Sequence, residues 1–152
     1  MKLEELAARE AIRELVACYA QLADRGRSAE LADLFTEDGT LQIDDRSPLR
    51  GRTAIRDFLA GVATDRRGTS SGAALIRHHT SNLRITLDGT GTASGSCYFL
   101  VVTDRGLDHW GRYRDTYVGP GGDWRFRTRH VRVEGVAPGS WAAERRARSS
   151  SG

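Results

Sequence analysis

A phenol, a carboxylate and an imidazole are the groups in this chain of 152 residues that are best suited to proton transfer. Tyr19 and Asp24 stand near the end of the first amphipathic segment, and His79 lies far down the chain. Imidazole titrates near neutral pH and can act as a base, a carboxylate can orient it, and a phenol can donate a hydrogen bond to the substrate. We therefore predict an acid/base site of Tyr19, Asp24 and His79 that needs neither a metal nor a cofactor.

Tyr19 and Asp24 can share a site only if the first helix ends early. Apolar residues spaced three and four apart predict a helix over residues 3–23, with Tyr19 on its apolar face. In a continuous helix Asp24 would lie about 140° from Tyr19. Gly26 is expected to end the helix, because glycine readily adopts the left-handed conformation found at helix ends, and this frees Asp24 to reach the site.

Strand alternation selects His79 over its neighbour His78. Leu83 and Leu87 share one face of the strand predicted over residues 75–87, and the same alternation carried backward places His79 on that apolar face. A bulge between His79 and Leu83 would reverse the assignment. Taken alone, His79 also fits a hydrogen-bonded core residue, Tyr19 an aromatic packing residue and Asp24 an exposed carboxylate.

The remaining elements predict an α+β domain. Ser28 and Thr53 can each cap a further helix. Three more strands, separated by glycine-rich turns, are predicted over residues 92–103, 110–118 and 124–134. Helices followed by a long antiparallel meander indicate a curved sheet wrapped around helices. Residues 66–72 are expected to form a polar loop, either over a pocket or as a plain connector, and residues 136–152 a flexible tail.

Composition excludes several functional classes. The net charge is +3, but the basic residues are interspersed with acidic ones and form no recognition motif, so we predict no nucleic-acid partner. No apolar run is long enough to cross a membrane, and the charged amino terminus lacks the apolar core of a signal peptide, so a cytoplasmic location is expected. Cys18 and Cys97 are read as small apolar residues and not as a redox pair.

Other chemistries have less support in the sequence. Adjacent residues on a strand point to opposite faces, so His78 and His79 cannot bind one metal ion, and His109 and His130 are isolated. No nucleophile elbow or phosphate-binding loop is present. We therefore predict no metal site.

Aromatic residues are the candidates for substrate contact. Tyr113, Asp115 and Tyr117 share one strand face, where Tyr113 could line a pocket and Asp115 could pair with one of several arginines. Cross-strand packing alone would explain the same pattern. The predicted substrate-binding residues are Tyr113, Phe58, Phe99 and Trp110.

Six short segments, taken in order, resemble the SnoaL-like proteins of the NTF2-like superfamily. They cover residues 11–15, 34–39, 51–55, 77–82, 111–115 and 124–126. The resemblance implies one domain over residues 1–135, built as a cone in which a bent, mostly antiparallel sheet encloses an apolar pocket. Superfamily members include ketosteroid isomerases, scytalone and bile-acid dehydratases, polyketide cyclases and non-catalytic binding subunits.

The resemblance also implies a chemistry. Tyr19, Asp24 and His79 look most like the dehydratase branch, where an Asp-oriented histidine removes a proton and a tyrosine assists at the substrate oxygen. The carboxylate that some relatives carry on the next strand has no counterpart in residues 99–102. We predict a cofactor-independent dehydratase, isomerase or cyclase that acts on a lipophilic, ring-containing or polyketide-like molecule and forms a homodimer or homotrimer. The alternative is a non-catalytic small-molecule-binding or structural protein.

Overall fold

The computed structural model of the protein describes residues 1–68, 75–89 and 91–151. The helices and strands in these ranges are α1 (Leu3–Asp24), α2 (Ser28–Asp33), β1 (Phe35–Ile43), β2 (Leu49–Arg50), α3 (Arg52–Gly68), β3 (Ile76–Gly89), β4 (Thr92–Thr103), β5 (Gly106–Val118), β6 (Arg125–Val136) and α4 (Trp141–Ser150). The predicted α+β class is confirmed. The expected loop over residues 66–72 is helical as far as Gly68, and its remaining residues lie outside the described ranges.

The six strands form one curved sheet in the order β2-β1-β6-β5-β4-β3. Only the β1–β6 pair is parallel, and the other neighbours are antiparallel. The apolar stripe of α1 packs into the core with the inward-facing residues of the strands, among them Ile12, Val16, Phe35, Val101 and Phe126. None of the helices within the described ranges is both long and apolar enough to span a bilayer.

Helix α1 ends where the sequence predicts. Gly26 has a φ of +67°, and its N–H donates to the carbonyl of Ala23 while the N–H of Arg27 donates to that of Leu22. This left-handed glycine closes the helix and makes Asp24 its last residue. The carboxylate is therefore free to leave the helix surface and reach the sheet.

A bulge at Asn82 reverses the predicted alternation of β3. Asn82 has a φ of +56°, and the pairing of β3 with β4 shifts between Ser81 and Arg84. The extra residue changes which face each preceding side chain occupies. His78 therefore points inward and His79 is exposed, so the predicted inward orientation of His79 is wrong.

The last residues of the chain form helix α4, which the sequence analysis did not predict. The Ser140 hydroxyl caps the helix by accepting the N–H of Ala143 at 3.1 Å. The side chain of Trp141 is buried, and its indole N–H donates to Asp65 at 3.2 Å. Arg148 also pairs with Asp65, at 3.0 Å. A flexible tail was expected over residues 136–152, but Trp141–Ser150 form a helix packed on the domain, and Gly152 lies outside the described ranges.

A fully buried ion pair lies at the centre of the domain. The guanidinium of Arg129 donates two hydrogen bonds, of 2.9 and 2.8 Å, to the carboxylate of Asp115. Both side chains have no exposed surface, and the hydroxyl of Tyr117 donates a third hydrogen bond to Asp115 at 2.9 Å. The proposed pairing of Asp115 with an arginine is thus confirmed, and the partner is Arg129.

Removing one partner of this ion pair should cost much more stability than removing an exposed one. Asp115→Asn leaves the Arg129 charge buried without its counterion, which we expect to lower the free energy of unfolding by about 3–5 kcal/mol. The matched change Asp45→Asn breaks the exposed pair with Arg132 and should cost less than about 1 kcal/mol. Urea unfolding measures both values. Equal losses of unfolding free energy in the two variants would contradict the central role of the buried pair.

The bulge at Asn82 should tolerate glycine but not a β-branched residue. Asn82→Val forces a stiff side chain into the left-handed region and should destabilise the protein by about 1–2 kcal/mol, whereas Asn82→Gly should change stability by less than about 0.5 kcal/mol. Thr86→Val, at an exposed regular position of the same strand, is the control. If all three variants unfold at the same urea concentration, Asn82 does not carry the strain.

Candidate functional site

A cavity of about 340 Å³ lies between the helices and the inner face of the sheet. Apolar side chains form much of its wall, and imidazole, phenol and guanidinium groups also reach it. Apolar lining residues include Leu22, Phe58, Leu59, Phe99, Val131 and Trp141. A cavity with apolar walls and convergent polar groups is typical of a site for a small organic molecule.

His78 lines this cavity, and Asp24 holds it by hydrogen bonds. The Oδ1 atom of Asp24 accepts two hydrogen bonds from His78, from the ring Nδ1–H at 2.6 Å and from the backbone N–H at 3.0 Å. The Asp24 side chain is 9% exposed and the His78 side chain 16% exposed, so little water competes for these bonds. We assign the ring proton to Nδ1 because the carboxylate can only accept, which leaves Nε2 as the basic nitrogen.

The phenols of Tyr19 and Tyr113 also line the cavity, and their ring centroids are 6.1 Å apart. Arg129 stacks on both rings, with its Cζ atom 4.1 Å from each centroid. Burial raises the pKa of Tyr19 above its ordinary value, although Arg129 opposes this shift and Asp115 adds to it. Burial, together with Tyr19, also raises the pKa of Tyr113 well above its ordinary value. Both phenols therefore stay protonated at neutral pH and can donate hydrogen bonds.

His109 is a second histidine in the cavity, which the sequence analysis treated as isolated. Its Nδ1 atom lies 2.8 Å from Oδ2 of Asp108, a carboxylate with a side chain only 3% exposed. The register between β4 and β5 shifts beside Asp108, so this residue is an extra one that no β4 residue faces. Asp108 also accepts the backbone N–H groups of Trp141 and Ala142, at 3.0 and 3.3 Å. It therefore joins His109 to the start of α4.

The strand register relates the two histidines. His78 on β3 pairs with Val101 on β4, and Val101 pairs with His109 on β5. Directly paired residues project to the same face, so both imidazoles lie on the inner face, on backbones roughly 10 Å apart across two strand spacings. The period-two run of His109, Tyr113 and Asp115 on β5 was the sequence signal that could have placed His109 in the site.

The structure brings most of the other predicted contact residues together, with one exception. Phe58, Phe99 and Tyr113 line the cavity, and Phe99 stacks on Tyr113 with 4.5 Å between ring centroids. Trp110 does not line it: the predicted inward position is wrong, because its neighbour His109 faces inward and alternation turns Trp110 to the outer face. There it lies beside Leu100, also exposed. The predicted homodimer or homotrimer remains a prediction.

The described residues contain no group of side chains arranged as a metal site would need. No three histidine, cysteine, aspartate or glutamate side chains in these ranges come together as metal ligands would. Cys97 is buried, and burial raises the pKa of its thiol to about 11. Among the described residues, the imidazoles that line the cavity are those of His78 and His109.

Comparisons with known proteins agree with this architecture. An NTF2-like protein with a cystatin-like fold from Novosphingobium aromaticivorans is 30% identical, with a TM-score of 0.74 over 94% of this chain and 90% of that one. A provisionally named scytalone dehydratase from the same organism is 26% identical, with a TM-score of 0.75 over 88% of each chain. A Catenulispora acidiphila structure in complex with S-DNPA is 26% identical, with a TM-score of 0.68 over 85% of this chain and 95% of that one.

None of the curated proteins matches the chain in sequence. The family model of the SnoaL-like domain matches residues 4–130, which include both histidine–aspartate pairs and all six strands apart from the end of β6. The chain therefore belongs to the SnoaL-like family, within the NTF2-like superfamily.

Proposed function

We propose that this protein is a cofactor-independent acid/base enzyme, of the dehydratase, isomerase or cyclase type, that acts on a lipophilic ring-containing or polyketide-like molecule. One observation carries the proposal: the imidazole of His78, held by Asp24, faces an apolar cavity that also receives the phenols of Tyr19 and Tyr113. The original trio of Tyr19, Asp24 and His79 is thereby revised, with His78 in place of His79.

His78 is the proposed base. Its Nε2 atom would remove a proton from a carbon next to a carbonyl group, and the resulting imidazolium would be stabilised by the Asp24 carboxylate at Nδ1. Because Asp24 also holds the backbone N–H of His78, the ring is fixed in one tautomer and one orientation before substrate binds. Pre-organised geometry of this kind lowers the reorganisation needed to reach the transition state.

Tyr19 and Tyr113 are the proposed hydrogen-bond donors to the substrate oxygen. Proton removal beside a carbonyl places negative charge on that oxygen, and neutral phenols in the cavity stabilise it. The buried Arg129 stacked on both rings adds positive charge behind them. Its own charge is balanced by Asp115, so it polarises the site without serving as an acid.

His109 supplies the proton that an elimination needs. In a dehydration, His78 takes the C–H proton, the electron pair forms an enolate, and the enolate expels the neighbouring hydroxyl group as the C=C bond forms. The hydroxyl leaves as water after accepting a proton from His109, whose ring Asp108 holds at Nδ1. A second histidine on the same cavity supports a dehydratase over a plain isomerase, in which one base can return its own proton.

One relative of similar structure is provisionally named a scytalone dehydratase, which supports this chemistry. Another holds the small molecule S-DNPA, which supports a small-molecule site. The rival proposal is a non-catalytic binding or structural protein, since one fold carries many functions. A non-catalytic protein would use the same cavity, but His78 would not act as a base in it.

Solvent deuterium exchange into a ring ketone such as 2-tetralone tests the base directly. We expect His78→Gln to lower the enzyme-dependent exchange rate by about 10² to 10⁴, the usual contribution of a general base. Asp24→Asn should lower it by about 10 to 10², because the ring loses its tautomer and orientation. NMR or mass spectrometry of the ketone measures the rates.

His79→Gln is the matched control, because the neighbouring imidazole is exposed and lies outside the cavity. Its exchange rate should stay within about twofold of the wild-type rate. Equal losses for His78→Gln and His79→Gln would remove His78 from the mechanism. Wild-type exchange no faster than that in buffer, across a panel of ring ketones, would favour the non-catalytic rival.

Absorbance at 295 nm, which reports tyrosinate, tests whether Tyr19 remains a donor. Because burial raises its pKa, the phenol keeps its proton as pH rises past its ordinary value, so folded wild type and Tyr19→Phe should absorb almost equally at pH 10. In urea, where an ordinary pKa of about 10 returns, the variant should lack about half of one tyrosinate signal. The same difference in the folded proteins would mean that Tyr19 titrates normally.

A further inference from the structure

Positive charge is concentrated around the cavity. Among the described residues that line it there are five arginines and a single carboxylate, Asp44. Asp44 already accepts the backbone N–H of Val133 at 2.9 Å. The arginines come from separate parts of the chain and are Arg27, Arg46, Arg66, Arg145 and Arg146.

Neighbouring carboxylates balance part of this charge, and Glu30 pairs with Arg27. Asp65 is shared between Arg148, at 3.0 Å, and Arg145, at 3.9 Å. Arg46 and Arg146 are exposed, and their side chains form neither a hydrogen bond nor an ion pair with any residue in the described ranges. At least two guanidinium groups at the cavity therefore have their donors available to a ligand.

Arg145 is held in place by aromatic side chains. Its Cζ atom lies 5.4 Å from the centroid of the Trp141 ring and 5.8 Å from that of Phe58. Burial lowers the pKa of its guanidinium, and Asp65 opposes this shift. Arg46 lines the same cavity. An arginine remains charged at neutral pH, so Arg46 and Arg145 form one cationic surface.

Trp141 lies close both to this surface and to His109. Its ring centroid is 6.3 Å from that of His109 and 5.4 Å from Cζ of Arg145. A ligand lying along Trp141 would have one end among His78, His109 and the phenols and its other end beside the arginines.

We propose that the cavity takes amphipathic anions, in which an apolar ring system carries one anionic group that binds Arg46, Arg145 and Arg146. The inference rests on the proposed function only in taking this cavity as the ligand site. The guanidinium donors would bind a carboxylate, sulfonate or phosphate through charge-assisted hydrogen bonds, while the apolar walls enclose the rings. The anionic group then places the opposite end of the ligand at His78.

A pair of fluorescent probes that differ by one charge tests the proposal. 8-Anilinonaphthalene-1-sulfonate is anionic, and N-phenyl-1-naphthylamine has the same rings without the sulfonate. We expect wild type to bind the anionic probe about tenfold more tightly or better. The double variant Arg46→Gln/Arg146→Gln should weaken binding of the anionic probe by about tenfold and binding of the neutral probe by less than about threefold.

Arg84→Gln/Arg114→Gln removes the same charge from the outer face of the sheet and is the matched control. Both arginines are exposed and pair with Ser96 from opposite sides, so they lie away from the cavity. This variant should keep the wild-type preference for the anionic probe. Equal weakening in the two double variants, or no preference in wild type, would overturn the anion site while leaving the acid/base proposal standing.

Competition with unlabelled ligands identifies the anionic group. 2-Naphthoate and 2-naphthyl phosphate should displace the sulfonate probe, and the stronger of the two distinguishes a carboxylate from a phosphate ligand. Displacement by neither would overturn the proposal. If the neutral probe also fails to bind wild type, the cavity is not a ligand site, and the proposed function fails together with this inference.

Discussion

The buried ion pair of Arg129 and Asp115 is the constraint around which the cavity is built. A charge without water must be paired and hydrogen-bonded, and the carboxylate meets this need through two guanidinium bonds and the Tyr117 hydroxyl. The flat faces of the guanidinium then accept the rings of Tyr19 and Tyr113, which become the polar part of the cavity wall. Stability and chemistry therefore share one cluster, in which a structural ion pair positions the two phenols.

Around this cluster, two carboxylates orient two histidines by different means. Asp24 leaves the end of a helix and binds both the ring and the backbone of His78, so this imidazole is fixed by a contact between distant parts of the chain. Asp108 precedes its histidine directly and also accepts the first N–H groups of α4. The position of His109 is thus tied to the packing of α4, and α4 in turn contributes Trp141 and Arg145 to the cavity wall.

Much of this arrangement could be predicted from local patterns. The helical spacing of apolar residues and the stop at Gly26 gave α1 its length and released Asp24, and both follow from backbone preferences within a few residues. Strand alternation on β5 correctly grouped Tyr113, Asp115 and Tyr117 on the inner face. The ordered family motifs predicted the fold, since they sample each element of the domain.

Amino-acid types and local backbone preferences determined the α+β class, the end of α1, and the presence of a phenol, a carboxylate and an imidazole suited to acid/base chemistry. Tertiary structure alone decided which histidine faces the cavity. Side chains alternate between the two faces of a strand with a period of two, so the one extra residue at Asn82 turns His78 inward and His79 outward. Only the pairing of β3 with β4 reveals this extra residue. Tertiary packing likewise decided that His109 joins the site and that α4 closes it. These contacts join residues far apart in the chain, and no local periodicity records them.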